Sequence, residues 1–570
     1  MSNDKLILPR WAEILIVILL LGGAWFLRSK DLDTFKLTDE TKWGFRSANF
    51  TLALHRGDYA LTFQRSHPGV TTMWAGTIGM RFAIPDYVNR TNEYVENTSY
   101  KMDLNRAGLG VMQIIVPGRQ VVIAINMLIL LVCFFYLRDL IGPLSALAGL
   151  LLLTYEPFVM AHTRILHVDG FLSSFMYLSV IAYMSFLRNG KAYNLALSGV
   201  AAGLTWLTKT PGFYLAAGIV LIAFLHWIVN LPVRSREEIW KSGLKASWQL
   251  ILWGLVGTTI MIILWPAMWV QPFTIIKQLM RESLEYAVQG HTSPVFFNGI
   301  IYRDGIVPRS IWYYYPLTYL WRTSPIVILG LLLAMIAYVF RLDRMQDRNT
   351  RNLVLSLVLF AAGFMLFMSI GSKRSDRYVL PTIPPLTIVA GLGWTALLRG
   401  IQNSKQSRLW KLIPAGIVAI AFMVQMALPI VFRPYYLSYF NPLMGGYRKS
   451  PGVLQVGWGE GLDEAARYLN AMPGAEDLLV ASWYERVFSE FFVGKTINIE
   501  DQAEISQGEI EHILDADYIV IYYHQFQRGM PENLLAILKE QTPIHRFWFN
   551  KLEYIRIYDP ETFAIPEVTQ

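Results

Sequence analysis

Apolar windows recur along this chain, each long enough to cross a lipid bilayer. A helix rises about 1.5 Å per residue, so roughly 17–25 apolar residues span a hydrocarbon core of about 30 Å. Eleven such windows stand at 11–27, 117–137, 142–160, 168–187, 193–208, 211–230, 247–265, 317–340, 353–371, 378–398 and 409–432. Backbone amides inside hydrocarbon must pair within their own segment, so windows of this kind fold as helices. Only 16% of the 570 residues are charged, where soluble domains carry about a quarter. The sequence therefore predicts a multi-pass integral membrane protein.

The net charge of +8 is spread over short loops between the windows, which argues for membrane topology and against a nucleic-acid partner. Cys133 is the one cysteine, so there is neither an internal disulfide nor a zinc-binding cysteine cluster. Lys5 and Arg10 precede a first window of full spanning length, with no small-residue cleavage pattern before Arg28. That window is expected to be a retained anchor.

Lys and Arg gather on the cytoplasmic side of membrane helices. With the N-terminus inside, the inner segments carry Arg138; Arg188 and Lys191; Arg234, Arg236, Lys241 and Lys245; Arg341, Arg344, Arg348 and Arg351; and Arg399, Lys405, Arg408 and Lys411. Every inner segment is basic. Two long segments, 28–116 and 266–316, then lie outside, together with the tail 433–570. The tail reads as helix at 461–471, strand at 477–482, helix at 507–515, strand at 517–523, helix at 531–541 and β-rich at 544–549 and 553–558. Alternation of this kind predicts a small α/β domain. The expected fold is an α-helical polytopic membrane module over 1–432, followed by an extracytoplasmic α/β domain over 433–570.

The outer loops hold the residues with chemistry. Asp39 and Glu40 follow the first window, and charge beside hydrocarbon is costly unless it has a use. The turn His67-Pro68-Gly69 lies in the same loop, and His162, Arg164, His167 and Asp169 lie between the third and fourth windows. Lys209, Lys373, Arg374 and Arg377 break the basic-inside pattern. Cations held outside against that bias suit an anionic ligand. A polyprenyl-phosphate sugar fits: Lys and Arg hold the departing phosphate, and a carboxylate takes the proton of an attacking hydroxyl. Each feature also has a plainer explanation when taken singly. Asp169 can cap a helix, Lys209 can snorkel, Arg374 and Arg377 can pair with Asp376, and the histidines suit hydrogen bonding better than metal ligation.

These motifs, in this order, resemble the GT-C class of membrane glycosyltransferases. The likeness is to the family-39-like group related to protein O-mannosyltransferases and to the aminoarabinose transferase acting on lipid A. The matching pieces are Asp39-Glu40; His67-Pro68-Gly69; Arg119; Ala161-His162-Thr163-Arg164 leading to Asp169; Gly203 to Pro211; Ser372 to Pro381; and Arg433 to Leu443. The resemblance implies inverting transfer from a dolichyl- or undecaprenyl-phosphate sugar, with Asp39 as base and Glu40 and Asp169 positioning the acceptor. It implies lipid-phosphate roles for Lys209, Arg374 and Arg377, joined by Arg164 and Lys373. His67, His162 and His167 are assigned to acceptor or loop positioning. No metal ligands are assigned, and a divalent cation is left open. The acceptor is a glycan, a lipid or a protein, and the setting a bacterial plasma membrane. A lipid-linked saccharide flippase, or a transferase using a pyrophosphate-linked oligosaccharide, would draw on similar outer cations. Transporters usually carry repeated halves, and no internal repeat is visible here.

Overall fold

The computed structural model describes residues 9–231, 235–289, 293–404 and 407–563. Lys5, Arg234 and Lys405 of the expected inner face, and the last tail residues 564–570, lie outside the described residues. Among the described residues, nine helices are long and apolar enough to cross a membrane, from α1 (Arg10–Ser29) to Lys411–Phe432. The protein is a multi-pass integral membrane protein.

The third expected span is shorter than predicted, since Pro143–Thr154 has 12 residues against 142–160, whereas the fifth, Ala192–Thr208, has 17 and matches its expected window. The third is cut by Glu156-Pro157, since proline cannot continue a helix and restrains the residue before it. The buried Glu156 carboxylate accepts hydrogen bonds from the Ser324 amide (3.1 Å) and the Gln425 side chain (3.3 Å), securing the break.

The first long loop is itself helical. It forms α2 (Thr38–Arg56) and α3 (Val70–Ala83), and α3 rests against the Met112–Ile141 helix. A two-stranded antiparallel hairpin, β1 (Val295–Phe297) and β2 (Ile300–Tyr302), stands in the second.

The tail is an α/β unit, as its alternating pattern predicts. Strands β3 (Leu479–Ser482), β4 (Lys495–Asn498), β5 (Tyr518–Tyr522), β6 (His545–Phe549) and β7 (Leu552–Tyr558) form one sheet in the order β4-β3-β5-β7-β6. The first three are parallel, and β7 and β6 are antiparallel. Central β5 is buried almost throughout, as a strand covered on both faces must be, and reads as the apolar run Tyr-Ile-Val-Ile-Tyr. Helices Leu462–Asn470, Gln507–Leu514 and Glu532–Lys539 accompany the sheet at the predicted places. Strand β4 was not expected, being four residues long and polar at both ends.

The stretch 433–443 ties the two parts together. The Tyr436 hydroxyl donates to the Leu27 carbonyl (2.9 Å), and Asn441 donates to the Leu320 carbonyl (2.8 Å). Lys36, fully buried, pairs with Glu490 of the tail at 3.1 Å.

Candidate functional site

Helix α2 begins at Thr38, and its first turn carries Asp39 and Glu40, where the helix dipole favours anions. The Glu40 carboxylate turns inward. It accepts from Arg119 Nε (2.8 Å) and Nη2, from the Leu37 amide (3.0 Å) and from the Leu166 amide (2.9 Å). Burial raises a carboxyl pKa, but these partners, led by Arg119, outweigh it and hold Glu40 below the usual carboxylate range. Glu40 thereby rivets α2 to the Met112–Ile141 helix and to the 163–167 turn. It is fully buried and does not line the cavity beyond.

Asp39 faces that cavity, which has a volume of about 430 Å³. Its carboxylate lies 3.2 Å from Arg377 Nη2, 3.8 Å from His167 Nε2 and 3.7 Å from Lys42 Nζ. Burial pushes Asp39 up, but Arg377, His167 and Lys42 more than offset it, and the group stays below the ordinary range. Arg377 also reaches Asp169 (3.3 Å), which in turn holds Lys209 at 2.7 Å. An alternating chain results: Lys42, Asp39, Arg377, Asp169, Lys209. His167 bridges both acids, with Nδ1 at 3.3 Å from Asp169. Gly170 makes this placement feasible, because a Cβ there would sit 2.2 Å from the His162 carbonyl. The helix carrying Asp169 can therefore start directly beneath the 162–163 turn.

The cavity is strongly basic. Nine lining residues are Lys or Arg (Lys42, Arg46, Arg65, Lys209, Arg322, Lys373, Arg374, Arg377, Arg528) and three are Asp (Asp39, Asp376, Asp501), a formal excess of +6. Such a lining attracts anions. His67 and His162 also line it, and burial first of all lowers both to about 3, so their rings are neutral. Burial likewise lowers Lys373, aided by Lys209 and Arg377.

The other two predicted cations are occupied differently. Arg164 lies outside this cavity: its guanidinium donates to the carbonyls of Lys30 and Asp31 and covers the Tyr436 ring at 5.3 Å. Arg374 lines the cavity, yet it donates to the carbonyls of Ile311, Pro308 (3.2 Å) and Ser369 (3.0 Å). Among the described residues no group of three or more His, Cys, Asp or Glu side chains is arranged to hold a metal ion. Asp39 at the cavity and Asp169 behind it already face Arg377 and Lys209.

Sequence reasoning missed the roof. Trp458, Tyr484, His524 and Arg528 of the tail line the same cavity. Trp458 lies over Arg377 (4.1 Å) and meets the His167 ring edge-on at 4.9 Å. Its carbonyl accepts from the Thr38 amide (3.2 Å) and hydroxyl (3.0 Å), one residue before Asp39. Gly457 and Gly459 flank it at φ of 82° and 114°, a backbone region that favours glycine. Arg322 was missed as well. It pairs with Asp376 (2.6 Å) and donates to the carbonyls of Leu437 and Tyr439, fixing the loop that carries Arg377.

Residues 111–244 match the family model described as dolichyl-phosphate-mannose-protein mannosyltransferase. That segment includes Arg119, Arg164, Asp169 and Lys209 and excludes Asp39 and Arg377. Among solved structures, the chain is similar to ArnT from Cupriavidus metallidurans bound to undecaprenyl phosphate, at 15% identity over 98% of this chain and 100% of that one, with a TM-score of 0.49. It is similar to the archaeal oligosaccharyltransferase AglB from Archaeoglobus fulgidus, at 10% identity over 98% and 75%, with a TM-score of 0.49. It is also similar to the protein O-mannosyltransferase complex of S. cerevisiae bound to the sugar donor, at 17% identity over 48% and 35%, with a TM-score of 0.36. No curated protein matches the sequence. The match to a family model is carried by residues 111–244.

Proposed function

We propose that this protein transfers a sugar from a polyprenyl-phosphate carrier to an acceptor hydroxyl on the non-cytoplasmic face of the membrane, with inversion at the anomeric carbon. One observation carries the reading: a half-buried carboxylate, Asp39, opens into a cavity whose lining has an excess of six positive charges. Lys209, Arg377 and Lys373 receive the lipid phosphate as it departs, and charge-assisted hydrogen bonds to them strengthen as negative charge develops. The bond between the anomeric carbon and the phosphate oxygen breaks with its electron pair going to the phosphate. The acceptor oxygen bonds to the same carbon from the opposite side and gives its proton to Asp39.

A hydroxyl becomes strongly acidic only as it forms this bond, so a carboxylate held ionised suffices as base. Asp169 and His167 position Arg377 and Lys209, and Glu40 acts through the backbone of α2 rather than on substrate. Arg164 and Arg374, tied to carbonyls, hold the walls. The basic inner loops support an N-terminus inside and a site outside. Residues 1–432 form the membrane module and 433–570 the outer domain. The test is to incubate purified protein with a panel of polyprenyl-phosphate sugars and score release of the free lipid phosphate. Release by wild type and not by Asp39→Asn is expected; equal release by both removes Asp39 as base.

A further inference from the structure

The roof of the cavity differs in chemistry from its cationic floor. His524 is only 5% exposed, and its Nδ1 lies 3.0 Å from the Gly457 carbonyl oxygen. A carbonyl only accepts, so Nδ1 carries a hydrogen. Burial, reinforced by Arg528, depresses protonation of this ring well below the ordinary histidine range. The neutral ring has a single N–H, and Nε2 is therefore a bare acceptor. That Nε2 is buried with no partner among the described residues, and His524 lines the cavity.

Gln455 supplies the complement. It lines the same cavity, and its Nε2, a donor, is also buried and unpartnered among the described residues. Unmet buried donors and acceptors are costly, and their usual explanation is a ligand or ordered water. Tyr484 stands beside them at φ 64°, a conformation that bulky residues seldom adopt, with its ring stacked on Trp483 at 4.3 Å. Backbone of this kind persists where the surroundings enforce it, and such sites cluster at ligand contacts. An acceptor, a donor and an aromatic face together match a saccharide, which offers hydroxyls at its rim and C–H groups on its face.

We propose that this roof is a sugar-reading half-site in which His524 Nε2 accepts from one hydroxyl and Gln455 Nε2 donates to another, with the Tyr484 ring against the sugar's carbon face. The proposal rests on the transferase reading and adds to it that the C-terminal domain binds sugar. Two sources share this chemistry, the glycosyl group of the donor and a glycan acceptor.

The test uses full-length protein in lipid nanodiscs as wild type, His524→Ala and Gln455→Leu. The second variant removes no hydrogen bond among the described residues and so guards against misfolding. Binding is measured for undecaprenyl phosphate and for undecaprenyl phosphates bearing single sugars, and turnover is measured with methyl glycosides as acceptors. Bare lipid-phosphate affinity is expected to stay unchanged in both variants. Loss of about five-fold in affinity for the sugar-bearing lipid alone identifies the donor sugar as occupant, since one hydrogen bond is worth about 1 kcal/mol. A similar rise in acceptor KM at unchanged donor affinity identifies an acceptor glycan. Unchanged sugar dependence in both variants overturns the half-site, as does an equal loss for bare lipid phosphate. Wild type that binds none of these lipids instead overturns the transferase reading and the half-site with it.

Discussion

Asp39 and Glu40 are neighbours in the chain and opposites in the fold. Successive residues on a helix point about 100° apart, so one turn of α2 can serve two surroundings. Glu40 has no side-chain exposure and is saturated by two guanidinium donors and two amides. The Asp39 side chain is 26% exposed and lies 3.2 to 3.8 Å from Arg377, Lys42 and the His167 ring. The difference separates a carboxylate that builds the site from one that can act in it. A pair of adjacent acids is therefore not one functional unit.

The largest expected effect is on Asp39. Asp39→Asn should lower transfer by about 10²–10⁴-fold, the usual worth of a positioned base, in a protein that still folds. Glu40→Gln should do the reverse. Removing one partner of a buried ion pair costs about 3–5 kcal/mol, visible as a lower Tm, and the double variant Glu40→Gln with Arg119→Met should recover part of it. A Glu40→Gln protein of normal stability and abolished turnover would break the comparison. Lys209→Gln keeps a hydrogen bond to Asp169 and removes the charge. Donor affinity should fall about ten-fold or more, and unchanged affinity would remove Lys209 from the phosphate site.

The pH dependence sharpens the contrast with a third acid, Glu460, which burial pushes up to about 7. A raised carboxyl pKa favours the neutral form in the fold, so its stabilisation is full below about pH 4 and is lost as pH rises through about 7. Glu460→Gln should flatten the stability of the outer domain between those limits. Asp39 has the opposite sign. Its pKa is depressed, so its contribution persists above the ordinary carboxylate range and is lost only at lower pH. A transfer rate that fell between about pH 7 and 5 in wild type, and no longer did so in a variant at position 39, would contradict that placement.

Much of this architecture was legible from hydropathy and charge, because both act residue by residue. Nine of the eleven apolar windows became helices of spanning length among the described residues, and the alternating tail became an α/β unit with its predicted strands and helices within a few residues. Meeting of Asp39 with Lys209 and Arg377 followed from putting helix ends on one side. What sequence could not supply was the partner of each cation. Arg164, Arg374 and Arg377 look alike on paper, yet backbone carbonyls hold the first two and carboxylates the third. The roof was invisible for a related reason, since Trp458 reaches Thr38 across 420 positions. A local signal was present in the spaced glycines Gly457, Gly459 and Gly461 around one tryptophan. All three adopt positive φ, and their clustering marks a backbone shaped to deliver that ring.

The clasp between Thr38 and Trp458 bears on biogenesis. A chain interrupted anywhere before residue 458 would already possess Asp39, Asp169, Lys209 and Arg377, yet it would lack the indole that lies over Arg377 and the carbonyl that fastens the start of α2. The roof of the cavity is therefore completed only with the final fifth of the chain, after the last membrane helix has been made.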